Sequence, residues 1–148
     1  MATFVFFNLW KEAQFDGGVT NTPIDFDTDV IKLMLVDSTR APIANTDTFI
    51  GAAIDANEVT GTNYTAGGDT VTVTVTQTTG TVTVDGTDVT WLQNGAGFTD
   101  ARYAILYKDI TSAAVSPVIG YIDFTSDKGN VSGDLTVQWN ASGIFTAA

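Results

Sequence analysis

From Asp69 to Trp91 the chain reads DTVTVTVTQTTGTVTVDGTDVTW, an alternation of threonine and valine with a period of two residues. Successive side chains of a β-strand point to opposite faces, so Val71, Val73 and Val75 fall on one side and Thr70, Thr72, Thr74 and Thr76 on the other. A helix, turning about 100° per residue, would scatter the same valines around its axis. The pattern resumes after Gln77-Thr78-Thr79-Gly80 with Val82 and Val84 on the apolar face, and the small polar residues between the runs suit a hairpin loop. The segment is therefore a β-meander with one dry and one wet face. Periodicity of this kind dictates a fold and assigns no chemistry.

The rest of the chain extends the same theme. A strand is expected from Val30 to Val36, with Ile31, Leu33 and Leu35 on one side and Val30, Lys32 and Met34 on the other. Further strands are expected at Val89–Leu92, Tyr103–Tyr107, Val118–Phe124, Leu135–Trp139 and Ile144–Phe145, separated by turn signals such as Asp85-Gly86, Asn94-Gly95 and Ser142-Gly143. Between Thr39 and Asn63 the pattern weakens into turn-like pieces with one helical turn near Ile50 to Ala56. Near the N-terminus, Val5 to Phe15 reads as a short helix of good helix formers, which Gly17-Gly18 would end. Seven or more short strands in 148 residues with no dividing linker predict an all-β fold: a single-domain antiparallel β-sandwich, jelly-roll or immunoglobulin-like, over residues 1–148. Residues 1–18 form its apolar, helical N-terminal segment, a candidate for docking.

Composition narrows the function by subtraction. The chain has no cysteine and no histidine, which removes thiolate chemistry, the commonest zinc ligands, the usual general base near neutral pH and every Ser-His-Asp or Cys-His pairing. Six basic residues against seventeen acidic ones give a net charge of −11, and the bases are scattered as Lys11, Lys32, Arg40, Arg102, Lys108 and Lys128. Nucleic-acid binding draws most of its affinity from neutralised phosphates, so neither nucleic acid nor an anionic membrane is an expected partner. The opening MATFVFFNLWKEAQF has no basic lead and is interrupted by Asn8, Lys11 and Glu12, so it reads as neither signal peptide nor membrane anchor. Without a secretory signal, the Asn-x-Ser/Thr triplets at Asn63, Asn130 and Asn140 are taken as chance matches.

Few residues suggest a site. Asp25, Asp27 and Asp29 alternate as at the start of an EF-hand loop, but Val30 and Val36 stand where that loop needs glycine and glutamate. They are read as an acidic turn and remain only weak candidates for a metal. Paired carboxylates can run glycoside hydrolysis, yet Glu12 and Glu58 are the only glutamates and neither has a catalytic setting. No catalytic residue and no cofactor are expected. Arg102, beside Asp100 and Tyr103, is read as the cation of an internal ion pair in preference to a contact between subunits. Phe4, Phe6, Phe7 and Trp10 form the densest aromatic cluster, which either caps the sandwich or docks onto another protein. On the docking reading, removing residues 2–10 abolishes attachment and leaves the β-fold intact.

Four landmarks carry a resemblance. They are Glu58-Val59-Thr60-Gly61-Thr62-Asn63-Tyr64-Thr65-Ala66-Gly67-Gly68; Asp88-Val89-Thr90-Trp91; Ala101-Arg102-Tyr103-Ala104-Ile105-Leu106-Tyr107; and Gly120-Tyr121-Ile122-Asp123-Phe124 followed by Trp139 and Gly143-Ile144-Phe145. With them the chain, from Asn8-Leu9-Trp10-Lys11-Glu12 onward, resembles a widespread group of tailed-bacteriophage virion proteins. The resemblance implies a non-enzymatic structural role, foremost a capsid decoration (cement) protein on the outside of the mature head. Its implied partners are the major capsid protein and copies of itself, in a homo-oligomer or icosahedral array. A tail, baseplate or fibre-associated protein is the alternative within the virion. Outside it stands a carbohydrate-binding module, which would present aromatics such as Trp91 or Tyr121 on an exposed sheet face.

Overall fold

The computed structural model describes residues 4–16 and 23–148. Among these residues, ten strands and two short helices follow the order β1 (Phe4–Phe6), α1 (Asn8–Asp16), β2 (Ile31–Val36), α2 (Gly51–Asp55), β3 (Asp69–Thr70), β4 (Val73–Thr78), β5 (Thr81–Gly86), β6 (Val89–Trp91), β7 (Ala101–Lys108), β8 (Val118–Lys128), β9 (Leu135–Val137) and β10 (Phe145–Ala147). They form a five-stranded sheet, β1-β8-β7-β2-β3, a three-stranded sheet, β10-β5-β4, and a two-stranded sheet, β6-β9. Every named pairing is antiparallel. The expected all-β sandwich with a short N-terminal helix is the observed architecture.

The five-stranded sheet is covered on both faces. Ile31, Leu33 and Leu35 of β2 join Ala104 and Leu106 of β7 in a core that also holds Val89 and Trp91 of β6 and Val137 of β9. Met34 and Val36 point the other way, into a second core with Tyr103, Ile105 and Tyr107 of β7 and Phe7, Ile50 and Ile54. The cover of that second face is the long connection whose sequence carries no period. Arg40 clamps it through both guanidinium nitrogens on Asp47 (2.9 and 2.5 Å), and Ile50 N–H donates to Ser116 O at 3.0 Å. The helix α2 then places Ile54 on the sheet, within the expected helical turn.

The threonine-valine segment forms the β4–β5 hairpin with Val75 paired to Val84 and Thr76 to Thr83. Its loop is tighter than the four residues expected: Thr79 (φ 51°) and Gly80 (φ 87°) alone turn the chain, both left-handed as a twisted hairpin with a two-residue loop requires.

The N-terminal expectation needs correction. Phe4–Phe6 is a strand, and the helix starts only at Asn8. Strand β8 offers a free edge, and Phe4, Val5 and Phe6 satisfy it by pairing with Ile122, Tyr121 and Gly120. Gly120 makes this possible, since a Cβ there would lie 2.2 Å from the Phe4 ring. Aromatic and β-branched residues also favour a strand over the first turn of a helix. Gly17 and Gly18, expected to end the helix, lie outside the described residues.

Candidate functional site

Two places gather side chains that sequence alone leaves apart. The first is the turn from Glu58 to Gly68, which closes the open edge of β2. Glu58 bridges to Val36 at one end, and Asp69–Thr70 pairs with Leu33 and Lys32 at the other. Between them the Tyr64 hydroxyl replaces the missing strand: Leu35 N–H donates to it at 3.0 Å, and it donates to Glu58 Oε1 at 2.6 Å. Gly67 N–H donates to the same carboxylate oxygen at 2.6 Å, and the Tyr107 hydroxyl donates to Gly67 O at 2.7 Å. Gly68 sits so close to β2, with φ at 71°, that a Cβ would fall 2.0 Å from Leu33 O.

This geometry shifts both acids upward. Burial raises Glu58 above its ordinary 4.5, against the lowering effect of the Tyr64 and Gly67 donors. Tyr64 is pushed well above the ordinary tyrosine value by burial, then by its bond to Glu58. A carboxyl and a phenol held this way are committed to backbone groups, and neither faces the aromatic cleft described below. The landmark turn is an edge closure. Asn130 plays a similar part at the opposite loops: fully buried, it accepts from Phe98 N–H at 2.9 Å and donates to Thr62 O (3.1 Å) and Leu92 O (2.9 Å). Its triplet is consequently closed to glycosylation, and nothing in the local sequence marks it as a hub.

The second place is a cleft of about 890 Å³ between α1, residues 23–27 and the three-stranded sheet. Its walls are Phe6, Trp10, Phe26, Val82, Val84 and Phe145. Phe6 stacks on Trp10 (4.9 Å between centroids, 10° between planes), and Trp10 and Phe26 meet the Phe145 ring at 5.9 and 5.7 Å. Helix α1, only nine residues long and marginal by itself, is held by this stacking and by buried Ala13. Phe15, by contrast, stands 92% exposed at the mouth. Lys11 and Gln14 line the helix side, and Asp25 and Asp27 the facing segment.

The aromatic cluster therefore divides. Phe7 is wholly buried in the second core and packs against Tyr121, so it cannot dock. Phe4 sits edge-on to Phe6 and Trp139, capping the sandwich. Only Phe6 and Trp10 reach the cleft. Removing residues 2–10 would delete an edge strand and a core side chain, so the truncation is expected to disturb the β-fold as well as any attachment.

The remaining candidates fall into place. Asp25 Oδ1 accepts Asp27 N–H at 3.1 Å, Asp29 Oδ2 accepts Asp25 N–H at 2.8 Å, and Asp29 also meets Lys108 Nζ at 2.8 Å. That is a turn bonded to its own backbone, and among the described residues no group of three acidic side chains is gathered for a metal. Arg102 pairs with Asp123 at 2.7 Å within the fold, as expected. Trp91 is 1% exposed and Tyr121 half-buried against Phe7 and Tyr103, so neither forms part of an open aromatic platform. Glu12 is exposed on α1. No helix among the described residues is long and apolar enough to cross a membrane.

No protein-family model, curated protein or solved structure matches the chain. The fold and its two sites define a class: an all-β sandwich whose buried polar groups hold turns in place and whose cleft is walled by apolar side chains.

Proposed function

We propose that the chain is a non-enzymatic structural protein of a tailed-bacteriophage virion, a decoration protein bound to the outside of the mature head. The observation that carries the reading is how the resemblance landmarks are used. The Glu58–Gly68 turn closes a sheet edge, Trp91 and Tyr103 to Tyr107 are core, and Arg102 is tied to Asp123. A family defined by such residues is defined by its framework, which suits an assembly role. The net charge of −11 suits a surface turned to solvent and away from packaged DNA.

A decoration protein stabilises a shell by mass action, because it binds a state that exists only after maturation. Many copies multiply a modest energy per site, and micromolar binding corresponds to about −8 kcal/mol. Quantitative mass spectrometry of purified virions tests the reading. A ratio to the major capsid protein near one supports it, a handful of copies moves the protein to the tail, baseplate or fibre, and absence from virions overturns a virion role altogether.

A further inference from the structure

We infer that the aromatic cleft is a self-association surface, and that its occupant is the same surface of a second copy of this chain. Both halves of the contact are present on one face. The cleft walled by Trp10, Phe26, Val82 and Phe145 is a hole, and Phe15, 92% exposed at its mouth, is a knob with no pocket of its own among the described residues. A ring left in water at the mouth of an apolar cleft is the arrangement that a matching partner relieves.

The charges select the partner. Lys32, Arg40, Arg102 and Lys108 each pair with a carboxylate inside the fold. Of the other two bases, Lys128 donates to Ser126 Oγ and does not line the cleft, whereas Lys11, on its helix side, has no ion-pair partner among the described residues, and neither does Asp27 on the facing segment. In a pair related by a twofold axis running along the cleft, the helix side of one copy lies over residues 23–27 of the other. Lys11 of each then meets Asp27 of its mate, twice, as an isologous interface demands. A chain with a net charge of −11 repels its own copies in general, so pairing needs such a local match.

The pairing needs only this chain, so it stands or falls apart from the head reading. A dimer in solution together with absence from virions would overturn the head assignment alone. Monomers on decorated heads would overturn the pairing alone. Sedimentation equilibrium across a dilution series is the test. The wild-type protein is expected at twice its 15.6 kDa mass, and Phe15→Ser at the monomer mass. Lys11→Glu and Asp27→Lys should each weaken pairing by at least about a hundredfold through like-charge contact. Mixed in equal amounts, these two variants should restore the dimer, because each mismatch then faces its complement. All three positions are exposed, so circular dichroism should report an unchanged fold. Wild-type monomers at every concentration, a dimer indifferent to Phe15→Ser, or a mixture that stays monomeric would overturn the inference.

Discussion

The five-stranded sheet and the β4–β5 hairpin are built from the same kind of backbone, yet they bury their side chains differently. Strand β7 is buried at Tyr103, Ala104, Ile105, Leu106 and Tyr107 in succession, because a core lies on each side of it. The hairpin buries Val84, half-buries Val73, Val75 and Val82, and leaves Thr74, Thr76 and Asp85 in water. One region is a foundation that tolerates little, and the other is the floor of a cleft. The contrast teaches where to look for function, since a surface open to partners must come from the region with an uncovered face.

The contrast should break most sharply at Phe7. Truncation to alanine empties a site between the second core and Tyr121 and should cost about 3–5 kcal/mol in urea unfolding. Asn130→Ala should follow at about 3 kcal/mol, because it strands the buried Phe98 N–H and two carbonyl groups at once. On the hairpin, Thr76→Ala should stay within about 0.5 kcal/mol, its side chain being exposed. If the hairpin substitution proved as costly as the core ones, the division between the two regions would be wrong.

The subtlest test is pH dependence. Folding raises the Glu58 pKa, so the folded chain holds that proton at pH values where the unfolded chain has released it. Its contribution is therefore full below about 4.5 and is lost as pH rises through the folded value. Asp109, held low by its hydrogen bond to Lys32, acts oppositely and loses its contribution as pH falls below 3.8. Glu58→Gln keeps an acceptor for Tyr64 and Gly67 and removes the proton. Its stability relative to wild type should rise as pH goes from 4.5 to 7, which thermal melts along a pH series will read. A constant difference would mean that Glu58 is not held in a raised state.

Sequence reading succeeded where a strand carries its own two-residue period. The alternation of Val71 to Val84 is visible because its threonines remain wet, and the split of β2 into Leu33 and Met34 faces follows from the same rule. It failed where contact is remote. Nothing in the weakly patterned stretch after Asp37 shows that Ile50 and Ile54 roof the second core. Val5 and Phe6 read as helix until the free edge of β8 is supplied by residues more than a hundred positions away. The Tyr64 hydroxyl filling a gap in a ladder, and Asn130 tying two loops, depend on partners that no spacing rule connects. The cleft is likewise an assembly of Trp10, Phe26, Val82 and Phe145, which meet only in the folded chain.

The central claim is attachment to a finished shell, and it is tested most directly by adding the purified protein to heads that lack it. Mature heads should take it up to a ratio near one per capsid subunit and then resist heat better, whereas immature shells should bind little. Heads that sediment without the protein, or immature and mature shells that bind it equally, would contradict the account.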